Sequence, residues 1–183
     1  MNRLPKTEKQ PEEKEVLTLL HHAVWEGKTE VIPFLLDHGF DVNVPTNKTM
    51  TPLHSAAIHN QPQAAKVLLE NGAKPNIKNN LGGVPLLYTA LDDHVETARV
   101  LIKHGALVDV PDNIGSTPFH IAAEKGACKV VKLLLANGAD PKAKNVDGKT
   151  PLDVATVEVA TIIKRHLAKL KKPKNKLPPS ANN

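Results

Sequence analysis

Nine histidines, one cysteine and a compact acidic cluster are the residues of this chain that invite chemistry. His21 and His22 are adjacent, so on a helix they point about 100° apart and do not grip one metal as an i, i+4 pair would. No His-Glu-x-x-His run occurs, and a lone Cys128 excludes an internal disulfide and a Cys/His zinc set. His38 and His104 each precede a glycine at a helix end, where partial positive charge complements the helix dipole. Asp92-Asp93-His94 is the one compact acidic and histidine cluster, and it reads as a solvated turn between two helices rather than a metal site. Cys128 begins or precedes a helix beside Lys129. That placement can lower a thiol pKa, although a small buried thiol is the expected outcome. Ser55 and Ser116 have no recognisable base beside them, and the glycines do not form a phosphate-cradling loop. The expectation is a chain without catalysis, cofactor, metal or small-molecule substrate.

What positions these residues is a repeat. Gly39, Gly72, Gly105 and Gly138 lie 33 residues apart, and so do Pro52, Pro85, Pro118 and Pro151. Each proline opens a related element: Thr51-Pro52-Leu53-His54-Ser55-Ala56-Ala57, Val84-Pro85-Leu86-Leu87-Tyr88-Thr89-Ala90, Thr117-Pro118-Phe119-His120-Ile121-Ala122-Ala123 and Thr150-Pro151-Leu152-Asp153-Val154-Ala155. Thr before Pro suits an N-cap followed by proline at the first helical position, where no N–H is missed. The small Ala pair lets a neighbouring helix approach closely. A second helix carries a Leu/Val stripe, as in Val67-Leu68-Leu69 and Leu133-Leu134-Leu135, and stops at a glycine able to adopt the left-handed conformation. Pro33 and Pro62 lie in first turns, where backbone N–H groups have no intrahelical partner. One such helix pair cannot bury its apolar stripe alone, so the units must stack. With only five aromatic residues, the core must be built mainly from Leu, Ile, Val and Ala.

The Thr-Pro-Leu-His-x-Ala-Ala and Leu-Leu-x-x-Gly-Ala elements resemble the ankyrin repeat family over about residues 14–168. The resemblance implies an all-α solenoid of about five helix–turn–helix units with β-hairpin loops, covering residues 14–45, 46–78, 79–111, 112–144 and 145–168. It also implies that His54 and His120 brace backbone and threonine hydroxyl. The first unit has Leu19 in place of proline. The fifth has Asp153 in place of histidine and lacks the Gly-bearing turn, so both read as caps. Leu87 stands where histidine is expected, which makes the third repeat the soft spot.

Members of this family usually meet a protein partner on the concave side, with the first-helix surface and the hairpin tips. Carried over position by position, that face here holds Trp25, Ile58, Leu91 and Glu124, then His59, Asp92 and Lys125 beside them. The tips contribute Lys48, Leu81 and Ile114 at one position and Met50 and Lys149 at another. Helices pack about 8–10 Å apart, so Trp25-Ile58-Leu91 is expected to form an apolar ladder about 20 Å long. It serves a partner unless these side chains fold inward on the protein's own hairpins.

Charge is unevenly spread. The chain has a net charge of +5, yet residues 164–183 hold seven basic and no acidic residues, which leaves 17 basic against 19 acidic before them. The expected arrangement is a disordered segment over 1–13 and a disordered basic tail over 169–183. A nucleic-acid- or chromatin-associated factor using that tail is the alternative to a protein-binding adaptor or regulator. No apolar run approaches the roughly 20 residues of a membrane span, and Met1-Asn2-Arg3-Leu4-Pro5-Lys6 lacks the apolar core of a secretory signal. A single cysteine fits a reducing compartment, so the expected location is the cytoplasm, with the nucleus as the other compartment, and the expected state is a monomer.

Overall fold

A computed structural model describes residues 18–171. The helices are α1 (Leu19–Trp25), α2 (Val31–Asp37), α3 (Pro52–Ile58), α4 (Pro62–Glu70), α5 (Pro85–Thr89), α6 (Val95–Lys103), α7 (Pro118–Lys125), α8 (Cys128–Ala136) and α9 (Val157–Lys171). They form two layers. α1, α3, α5 and α7 pack in one row, and α2, α4, α6, α8 and α9 in the other. Each helix is short because its start and stop are written into the sequence at a fixed interval. Proline takes the first position of α3, α5 and α7, and the glycines at 39, 72, 105 and 138 hold φ between 84° and 89° just beyond α2, α4, α6 and α8. A Cβ on Gly105 would meet nothing within 4 Å, so its positive φ, and not crowding, makes the position glycine's.

The core is aliphatic. Leu20, Ile32, Leu53, Leu68, Leu86, Leu101, Leu134 and Ile163 are fully buried, and Phe119 is the one aromatic side chain among them. Ala56, Ala57, Ala122 and Ala123 are also buried, which places the small pair at the contact between helix layers.

Histidine fastens one repeat to the next. In the fourth unit, Thr117 N–H reaches His120 Nδ1 at 3.2 Å, and the Thr117 hydroxyl lies 2.9 Å from the same nitrogen. Nδ1 is therefore the acceptor, and Nε2–H donates to the Lys149 carbonyl at 3.0 Å in the following loop. His54 repeats this with Thr51 and the Gly83 carbonyl, and His21 with Thr18 and the Met50 carbonyl. Leu87 cannot, so the Ser116 carbonyl keeps only its loop partner, the Asp112 amide at 3.0 Å. α5 is the shortest helix, five residues, and Val84 gives it no side-chain cap.

Three expectations change. No described residue lies in a strand. The loops expected as β-hairpins are tight turns, each closed by an outer backbone bond (Thr46 to Met50, Asn79 to Gly83, Asp112 to Ser116 and Asn145 to Lys149) and an inner one (Thr49 to Thr46, Gly82 to Asn79, Gly115 to Asp112 and Gly148 to Asn145). The fifth unit is not a helix pair. Residues 151–154 form only a turn, with Asp153 accepting from the Thr150 amide and hydroxyl at 2.8 and 2.7 Å where histidine would bridge to a further repeat. α9 then runs 15 residues to Lys171, so residues 169–171, assigned to the tail by sequence, are helical. The 1–13 segment and residues 172–183, on which the nucleic-acid alternative rests, lie outside the described residues.

Candidate protein-binding surface

The predicted ladder occupies the ends of the first-layer helices. Trp25 closes α1, Ile58 closes α3 and Leu91 follows α5. Trp25 is 49% exposed and Leu91 37%, whereas Ile58 is half-buried. Trp25 is not a free-standing ring. It lies parallel to His59 of the next repeat, centroids 5.1 Å apart and planes 10° from coincidence, and to His22 at 6.2 Å and 11°. The indole thus has two near-parallel imidazole neighbours, one on its own helix and one on the next repeat. His59 has its pKa lowered, by burial first and then by the charge of His94. Both effects favour the neutral ring that stacks on an indole without a charge to desolvate.

Beside this stack lies a cleft of about 220 Å³ lined by His21, Trp25, Thr46, Met50, Ser55, Ile58 and His59. Trp25, Ile58, His59 and Met50 were identified from the sequence and meet here. Met50 is positioned from the next loop, whose Asn79 amide reaches its Sδ at 2.9 Å. Leu91, Asp92, Glu124 and Lys125 continue the row along the ends of α5 and α7 without lining that cleft. At the tips, Leu81 and Ile114 point outward, and their carbonyls accept from the amides of Asn113 and Val146 in the following loops. The side chain of Lys149 is exposed while its carbonyl is held by His120. Lys48 is exposed on the first loop.

Sequence reasoning missed His22, His21, Thr46 and Ser55. His22 was legible: it precedes Trp25 by three residues, one helical turn, so the two rings share a face. Val146, exposed at the fourth loop, was also missed.

The remaining reactive groups have structural work. Asp93 is not a solvated turn residue. It sits at φ 56°, and its carboxylate accepts from the amides of Val130 at 2.8 Å and Lys129 at 3.3 Å in the first turn of α8. His94 Nδ1 lies 3.0 Å from the Ala57 carbonyl. His38 and His104 turn back onto the carbonyls of Phe34 and Val100 at 2.8 Å, as Asn71 and Asn137 do at the same repeat position. Cys128 does open α8, but burial first, then Glu158, raises its pKa. The thiol is therefore not activated as a nucleophile. Among the described residues no group of three or more His, Cys, Asp or Glu side chains could hold a metal ion, and no helix is long and apolar enough to cross a membrane.

Residues 3–79 match the family model described as ankyrin repeats (3 copies), and residues 90–155 match that described as ankyrin repeats (many copies). No curated protein matches the chain.

Proposed function

This chain belongs to the ankyrin repeat family, whose members are generally protein–protein interaction modules, and from that premise we propose that it binds a partner protein or peptide on its first-helix face. The observation that carries the reading is the half-exposed Trp25, which stacks with His22 and with His59 and lines a cleft. A pre-ordered indole loses little conformational entropy on binding, and tryptophan is among the side chains that dominate interface energetics. The partner's apolar residues meet Trp25, Ile58 and Leu91. Its polar end reaches Glu124, Lys125 and Lys149, with acidic groups suited to the two lysines. Asp92, Lys48, Met50, Leu81 and Ile114 complete the rim.

In this reading the protein is a monomeric, non-catalytic adaptor or regulator of the cytoplasm or nucleus. Capture of interacting proteins by the wild type against Trp25→Ala/Leu91→Ala tests it. A tryptophan at the centre of an interface contributes about 2 kcal/mol or more, so the double variant should lose its partners while keeping its helical spectrum. Equal recovery of the same partners by both proteins removes this face from consideration.

A further inference from the structure

The second helix layer carries a surface that the first-helix face leaves unused. On α9, Ile162, Arg165, His166 and Lys169 fall at i, i+3, i+4 and i+7 and so share one stripe. On α8, Lys132, Leu135 and Ala136 fall at i, i+3 and i+4. The two helices pack together, and these stripes enclose a groove of about 310 Å³. Its floor is apolar, with Leu135 buried and Ile162 half-buried, and its rim is basic, with Lys132, Arg165 and Lys169 exposed. No rim side chain forms an ion pair among the described residues, whereas Arg99 on α6 is held by Glu96 at 3.5 Å.

We propose that this groove binds an acidic amphipathic helix of a partner protein, its apolar stripe on Leu135 and Ile162 and its carboxylates against Lys132, Arg165 and Lys169. Charge complementarity selects the occupant. Sequence that follows α9 carries Lys172, Lys174 and Lys176 and no acidic residue, so it has the same sign of charge as the rim and offers it no side-chain carboxylate. A nucleic-acid backbone satisfies the rim but has no apolar ridge for the floor. A helix with apolar residues at i, i+3 and i+7 flanked by glutamates satisfies both.

The test uses the full chain and a labelled synthetic helix of about 14 residues with leucines at that spacing and glutamates on both flanks. Fluorescence anisotropy should show saturable binding that Arg165→Gln/Lys169→Gln weakens about tenfold or more, while Trp25→Ala leaves it unchanged. The methyl resonances of Ile162 in the wild type should shift on titration, a readout that does not depend on how well a variant folds. The proposal is overturned by unchanged Ile162 resonances or by charge variants that bind as well as the wild type. It is equally overturned if a charge-matched peptide with alanines for leucines binds as tightly, or if a DNA oligonucleotide displaces the helix at lower concentration. Loss of binding in Trp25→Ala alone would move the peptide to the other face.

Discussion

His54 shows how much one side chain carries here. It is buried, its Nδ1 receives the Thr51 amide at 3.1 Å, and its Nε2 donates to the Gly83 carbonyl at 3.1 Å. Burial is the main reason its pKa falls from 6.5 to about 4, against the opposing pull of the Gly83 carbonyl. A depressed histidine pKa means that the unfolded chain takes up a proton the folded one refuses. Stability from this site is therefore complete above pH 6.5 and is lost as the pH falls towards about 4. A shift of that size corresponds to about 3 kcal/mol for one site. Urea unfolding at pH 7 and pH 4.5 should show the loss, and His54→Asn, already weaker at pH 7, should show a smaller drop. The sequence placed His54 and His120 correctly because Thr-Pro-Leu-His names both partners of the bond. It did not disclose Asn43, Asn76 and Asp109, which also recur every 33 residues and accept from the amides of Lys74, Leu107 and Asp140. Their partners lie 31 residues ahead, in loops whose approach only the stacked structure defines.

At the scale of elements, the informative helix is α8, whose first turn is capped from the preceding repeat. Gly27, Asn60, Asp93 and Gly126 occupy the same repeat position, and all have positive φ. Two of them use a side chain as well as a backbone conformation: Asp93 on α8, and Asn60, whose Oδ1 accepts from the Thr97 hydroxyl of α6 at 3.0 Å. Asp93→Gly keeps the left-handed backbone and removes the cap, at about 1 kcal/mol. Asp93→Ala adds the strain of a Cβ at positive φ, for a total of about 2 kcal/mol or more. Equal melting temperatures for the two variants would mean that the cap, and not the turn, carries the whole effect. Helix existence and order were legible because Pro and Gly punctuate them. The missing first helix of the fifth unit was not, since Thr150-Pro151 still supplies a helix start. Asp153 tightens that start into a turn, and no sixth repeat follows within the described residues to pack against it.

The whole stack depends on its ends, because every unit packs only on its neighbours. α9 closes the second layer by burying Val159 and Ile163 completely. Ile163→Ala removes a filled core position and should cost about 2–4 kcal/mol. In a one-dimensional array that loss is felt first at the C-terminal unit, so hydrogen exchange should accelerate in α9 and α8 before it changes in α3 or α4. Uniform acceleration along the chain would show a single cooperative block. The side-chain hydrogen bonds that join repeats span only 29 to 37 residues, from the His54 bond to Gly83 up to that of Asp93 to Val130. None of these bonds reaches across two repeats. A chain held at both termini and stretched would therefore bear load as a series of links, not as a sheared sheet. Peeling one unit releases 33 residues, about 110 Å of extended chain, and an optical trap should record ruptures at that interval, with the third repeat, which lacks the histidine fastener, yielding at the lowest force.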